Sequence, residues 1–480
     1  MSVPQMPYWV AGAPRSGDEG LEVSSPHDGR TAGRTTQATS ADVEAAVEAA
    51  ARAASACAGT PAHVRAAALD HVSQRLAERG EEVAALITAE SGKPLKWARL
   101  ELSRAVSTFR WGAEEARRWS GSLQRLDTDP AATGRMALIR RAPRGPVLGI
   151  APFNFPLNLV AHKVAPAIAV GAPIVLKPAP ATPLSALLLG EILAETKLPA
   201  GAWSVLPVPN EVAAELVRDP RLPVVSFTGS VPVGWSIRDA VPRKHVTLEL
   251  GGNAAVVVAP DQDDDALAYA AGRIATFAMY QAGQSCISVQ RVFVHREVAR
   301  TLTDRVVEAV QKLVTGDPTD PATDVGPLID EQAARRVEGW VQEAVAGGAR
   351  LLAGGSRDGA AYSPTVLADV PATAKVACEE VFGPVVVVDT VDSVDEAFIR
   401  VNDSRFGLQA GVFTHDLQLA FRAARELQVG GVVIGDVPSF RADQMPYGGV
   451  KDSGVGREGV RAAMEDLTEE RVLVFTGIDV

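Results

Sequence analysis

From Val147 onward the sequence alternates short unbroken apolar runs with stretches of helical periodicity, and few folds accept that pattern. Residues 147–150, 172–177, 205–208 and 224–227 read as strands, with 157–170 and 185–196 as helices between them. A strand that is apolar at nearly every position needs cover on both faces. Strand–helix–strand connections supply that cover and make neighbouring strands parallel. A second series begins near Leu248. Residues 254–259, 289–294 and 385–388 read as strands, and 264–279, 298–314, 335–346 and 394–401 as helices. Ahead of both, residues 41–119 carry helical spacing, as at Val43, Ala46, Val47 and Ala50. The expected class is α/β: two open doubly wound α/β lobes plus a small β flap. With 480 residues, both lobes have ample core.

Charge and cysteine usage narrow the function classes. A formal net charge of −11 argues against nucleic acid or an anionic membrane as the main partner, since both select a basic face. Three cysteines, Cys57, Cys286 and Cys378, fit neither a disulfide framework nor a zinc site, and their scarcity suits a reducing cytoplasm. The seven histidines show no paired metal-ligand spacing, so no metal is expected. No apolar run approaches the roughly 20 residues of a membrane span, and no basic-then-apolar leader is seen.

Polar residues stand where open α/β sheets bind ligands, directly after apolar strands. Asn154 follows the 147–150 strand, Lys177 ends the next, Gly229 and Ser230 follow 224–227, and Glu249 closes 246–248. Cys286 comes after a Gly-Gln-Ser run at an expected helix-to-strand corner, where unpaired backbone N–H groups favour an activated thiol. By contrast, Gly454-Val-Gly-Arg-Glu-Gly459 matches a dinucleotide fingerprint in letters only. The preceding residues are loop-like, and the 21 residues that follow leave no room for a βαβ unit.

Seven motifs then occur in one order: Pro152-Phe-Asn-Phe-Pro156, Leu176-Lys-Pro178, Phe227-Thr-Gly-Ser230, Leu248-Glu-Leu-Gly-Gly252, Gly283-Gln-Ser-Cys286, Glu380-Val-Phe-Gly-Pro384 and Pro446-Tyr-Gly-Gly-Val-Lys-Asp-Ser-Gly454. In this the chain resembles the aldehyde dehydrogenase superfamily, over essentially its whole length. The resemblance implies oxidation of an aldehyde to the acid. Cys286 matches the nucleophile, Asn154 the oxyanion donor, and Glu249 the base that activates water against the thioester. Lys177 joins the catalytic set and, with Glu380, the ribose contacts. Pro152, Phe153, Gly229, Ser230, Leu250, Gly251 and Phe382 match the rest of the NAD or NADP site. Glu249 favours a free acid over an acyl-CoA product, and the intact set disfavours a non-catalytic structural relative. Pro180 stands where many NAD-preferring members carry a glutamate, which removes an objection to a 2′-phosphate; NAD is favoured, with dual use open.

The family pattern places Phe155, Leu159, His162, Arg104, Arg110, Trp111, Ser285, Ile287, Arg441 and Tyr447 near the substrate route. His162 and Arg441 point to a small polar or anionic aldehyde, as in the lactaldehyde and glyceraldehyde-phosphate branch. Arg441 also admits a plainer reading, a surface residue paired with Asp443. Gly435 replaces the family's usual asparagine, leaving that loop's geometry open. The expected division is 1–122 and 145–250, with 450–465 returning, for the cofactor domain, and 251–435 for the catalytic domain. The 123–144 and 466–480 segments match oligomerisation strands, implying a homodimer or homotetramer. Cys57 and Cys378 are expected to be structural.

Overall fold

The computed structural model describes residues 3–477, so the outermost ends of the 1–122 and 466–480 segments lie outside it. Five parallel strands form the heart of the first sheet, in the order Trp203–Val205, Ile174–Lys177, Val147–Ile150, Val224–Thr228, His245–Glu249. Antiparallel strands close it: Tyr8–Val10 and then Ala13–Arg15 on one side, and Gly454–Val455 on the other. The second sheet has seven strands, in the order Arg350–Ala353, Thr365–Ala368, Val385–Val391, Arg291–His295, Ala255–Val258, Gln409–Phe413, Gly431–Ile434, parallel apart from the first pair.

The apolar strands end up inside for the reason their composition suggests. Val147–Ile150, Ile174–Lys177 and Ala255–Val258 are buried at every residue. Helix Asn158–Val170 is buried at every residue too, because it lies between the sheet and the long helices Ala62–Glu78 and Leu95–Arg118.

Strand order reverses between Val147–Ile150 and Val224–Thr228: the later strands of the first series build outward on one side, and 224–228 and 245–249 on the other. That switch point opens a crevice at the strands' carboxyl ends, where residues 151–156 and 229–230 emerge.

A three-stranded antiparallel sheet of Ser122–Arg125, Arg135–Pro143 and Thr468–Thr476 stands apart from both. Leu123, Leu138, Val472, Leu473 and Val474 are exposed on it. The expected strand over 289–294 begins later, at Arg291, and Cys286–Gln290 is loop. Side chains account for the delay. The Ser288 side chain donates to the carbonyls of Phe277 and Ala278 and the Gln290 side chain to those of Val376 and Glu379, anchoring the loop up to the point where the Gln290 backbone meets Ala254 and Val387. Gly435 has φ +75°, a left-handed conformation that glycine and asparagine adopt more readily than other residues. Its replacement of asparagine therefore keeps the turn, and Asp436 beside it is fixed by Arg273 at 2.7 and 2.8 Å.

Candidate active site

A cavity of about 600 Å³ opens at the switch point. It gathers Asn154, Lys177, Glu249, Cys286 and Glu380 from five separate segments of the chain.

The corner that presents Cys286 is strained. Gln281, Ala282 and Gly283 all have positive φ, at 55°, 51° and 69°. Only the third is a residue that suits that conformation, and each of the others costs on the order of 1–3 kcal/mol. A Cβ on Gly283 would stand 1.9 Å from the Gly383 carbonyl oxygen, so the corner must pass tight against the 380–384 loop. Burial pushes the Cys286 thiol up to about 12, and its sulfur lies 3.1 Å from the Tyr447 hydroxyl.

Asn154 Nδ2 donates to the Gln284 carbonyl at 2.8 Å, which aims the amide at the thiol corner and leaves its second N–H uncommitted. A buried ion pair fixes the loop beneath it. Lys93 bonds Glu101 and also donates to the Asn154 carbonyl at 2.9 Å, while Glu101 accepts the Leu157 and Asn158 N–H groups at 2.9 and 3.0 Å. Both side chains of the pair are fully buried. Lys93→Met strands a buried carboxylate and is expected to cost about 3–5 kcal/mol. Thermal unfolding should show the loss, and Lys93→Met/Glu101→Gln, which keeps an acceptor but no charge, should regain more than half of the Tm.

Glu249 is buried with no hydrogen-bond partner on either carboxylate oxygen among the described residues. Burial, reinforced by the nearby Glu458 carboxylate, raises its pKa well above the usual range. Burial works against ionised Glu458 too, yet Lys163 at 3.4 Å and Arg441 at 3.1 Å hold it down to about 2. The two acids are therefore pushed in opposite directions: Glu458 is held ionised, and Glu249 is biased toward its protonated form.

The opposite arm of the cavity has the character of a dinucleotide slot. Ala213, Val217, Val233 and Ile237 form an apolar cleft, and Phe153 meets Phe382 edge-on at 5.8 Å. Ser230 caps helix Val231–Ala240 without a side-chain bond, leaving its hydroxyl and the first-turn N–H groups to meet an anion. Lys177 Nζ donates to Asn210 at 2.9 Å, and burial lowers its pKa to about 8. A Cβ on Gly251 would collide with the Glu380 carboxylate at 2.1 Å, so glycine there lets Glu380 cross to the Gly252 N–H. Pro152, Pro180, Gly229 and Leu250 complete the lining. These groups fit NAD or NADP: a hydroxyl-binding pair, a helix N-terminus and two flat apolar surfaces. Among the described residues no cluster of His, Cys, Asp and Glu could hold a metal, and no helix is long and apolar enough to cross a membrane.

The substrate-route residues divide. Leu159, Arg441 and Tyr447 line the cavity; Phe155, His162, Trp111, Ser285 and Ile287 are not in its lining. Phe155 packs on Tyr280 and under Lys93, and Ile287 packs on Tyr447. Trp111 lies on the outer part of its helix beside Arg110, whose partner is Glu114. His162 faces away, within 3.4 Å of Asp443, and burial depresses its pKa to about 4. Arg441 is not a surface partner of Asp443: it is buried, bonds Glu458, and stacks 3.9 Å from the centre of the Tyr447 ring. Arg104 takes Asp443 instead, at 3.2 Å.

Among the lining residues that were not anticipated are Asn210, Glu458 and Arg336. Asn210 opens a helix just past a sheet strand, so the strand-end rule that found Lys177 reaches it. Glu458 sits inside the rejected Gly454–Gly459 run, and Arg336 gave no signal in a charged helix.

Comparison with known proteins agrees with this geometry. The model of the aldehyde dehydrogenase family matches residues 9–473. The chain belongs to the aldehyde dehydrogenase family. Among relatives of this dehydrogenase, 3-sulfolactaldehyde dehydrogenase of Priestia aryabhattai is 45% identical over 401 residues, 83% of each chain. Aldehyde dehydrogenase 21 of Physcomitrella patens, solved with the reaction product succinate, superposes with a TM-score of 0.97 at 45% identity, covering 100% of this chain and 99% of that one. The glyceraldehyde-3-phosphate dehydrogenase GapN of Methanocaldococcus jannaschii, solved with NADP, gives 0.91 at 34%, covering 96% and 99%.

Proposed function

We propose that this dehydrogenase oxidises a small anionic aldehyde to its carboxylic acid with NAD⁺ or NADP⁺. The observation that carries the reading is the convergence of Cys286, Asn154, Glu249 and Arg441 on one cavity whose other arm suits a dinucleotide. Cys286 sulfur adds to the carbonyl carbon, its proton passing to water in the open cavity. Asn154 Nδ2, with the Cys286 backbone N–H, stabilises the oxyanion. The nicotinamide, when bound, accepts the hydride and so carries the two-electron step. Cys286 is left as a thioester. Glu249 takes a proton from water as that water attacks, releasing the acid and the thiol.

Arg441 supports the anionic substrate. Its charge is buried in the cavity wall and half-balanced by Glu458, which is shared with Lys163. Sulfolactaldehyde, glyceraldehyde 3-phosphate and succinate, named for three of its relatives, are small and carry an anionic group beyond the reacting carbon, while lactaldehyde, named for others, is small and uncharged. Pro180 lines the cofactor arm without a carboxylate, which supports use of NADP⁺ alongside NAD⁺. The exposed apolar residues of the three-stranded sheet support assembly into a homo-oligomer.

A panel of glycolaldehyde, lactaldehyde, a semialdehyde and hexanal, run with each cofactor, tests the reading. Arg441→Ala is expected to lower kcat/KM for the semialdehyde roughly 10- to 100-fold relative to hexanal. Unchanged relative rates would remove Arg441 from anion recognition, and a kcat/KM ratio above ~10³ for NAD⁺ would remove dual use.

A further inference from the structure

Tyr447 is placed to do more than line the cavity. Its backbone is pinned on both sides to Glu458, by N–H···O bonds of 2.9 and 2.7 Å. One face of its ring carries the Arg441 guanidinium, and its edge packs with Ile287 and Leu408. The side chain is therefore buried and held, and its one polar atom sits 3.1 Å from the sulfur of Cys286. A phenol hydroxyl can donate one hydrogen bond and accept others, whereas sulfur is a weak partner in either direction. The hydroxyl thus reaches the reacting centre with hydrogen-bonding capacity unspent.

An aldehyde joined to Cys286 through its carbonyl carbon carries any oxygen on its second carbon three bonds from the sulfur. That oxygen falls in the shell the Tyr447 hydroxyl occupies. A plain methylene there leaves a buried hydroxyl facing carbon, while a hydroxyl gives it a full partner. We propose that Tyr447 selects aldehydes bearing a hydroxyl at the second carbon, exchanging its contact with the Cys286 sulfur for one with the substrate. The inference rests on Cys286 as the nucleophile. With Arg441 stacked on the same ring, the two residues read adjacent features: the hydroxyl first, the anion beyond it.

The test is Tyr447→Phe, which keeps the ring and its stacking and removes one oxygen. Values of kcat/KM are measured for wild type and variant on two pairs that differ only at the second carbon, lactaldehyde with propanal and glycolaldehyde with acetaldehyde. The hydroxylated member of each pair is expected to lose about tenfold more than its partner. Equal losses within each pair would confine Tyr447 to the thiol and overturn the proposal, as would no loss at all. Wild-type turnover of any of the four that Cys286→Ala abolishes keeps the nucleophile reading standing whichever way the ratio falls. Survival of turnover in Cys286→Ala would remove that reading, and the proposal with it.

Discussion

Cys286→Ala is expected to lower aldehyde-dependent reduction of NAD(P)⁺ by at least ~10⁴-fold, the scale on which removal of a covalent nucleophile acts. No other thiol can substitute: Cys57 is on the buried face of helix Ser40–Gly59, and neither it nor Cys378 is in the cavity lining. Cofactor affinity, read by quenching of protein fluorescence on NAD(P)H binding, should stay within about threefold, because the slot is built from other segments. The strained corner does not depend on the sulfur, so the fold should also survive, with thermal unfolding little changed. Turnover that persisted would disprove covalent catalysis here.

Glu249→Gln should leave the first half of the reaction better off than the second. One equivalent of NAD(P)H per active site is expected in a rapid burst, followed by steady turnover lowered about 10²- to 10⁴-fold. Intact mass after quenching should show the acyl group on Cys286. The pH dependence follows from the direction of the Glu249 shift. Its pKa is raised, so the carboxyl is protonated and useless as a base at low pH, and gains function as pH climbs through the raised value. Steady turnover in the native enzyme should therefore rise with pH beyond the range of an ordinary carboxylate. In the Gln variant that limb should be gone. A variant with full turnover and the same pH profile would place the base elsewhere.

Much of this was legible in the residues. Strands such as Val147–Ile150 and Val224–Thr228 are mostly apolar and almost wholly buried, and the polar residues just past their ends had nowhere to go but the crevice there. Other features lay beyond reach of local pattern. Lys163 and Glu458 are 295 residues apart, and nothing near either announces the other. Helix Asn158–Val170 is buried on every side, so periodicity gave it no inward face. It could not tell that His162 turns to Asp443 while Leu159 reaches the cavity. The Lys93–Glu101 clamp was similarly silent, because each residue alone reads as an ordinary helix or loop charge. Arg441 shows the same limit from the other side: the nearest acid in sequence, Asp443, was taken by Arg104 across the fold.

Gln281 and Ala282 bear on how this protein can be altered. Both hold a conformation that glycine would adopt at less cost, so Ala282→Gly relieves strain in the folded chain. A laboratory search for heat-resistant variants would be drawn to such positions. It would find there the two residues whose stiffness sets where the sulfur stands, and each degree gained would be taken from the accuracy of attack. Durability and speed compete at this corner, and the native residues record which of them was kept.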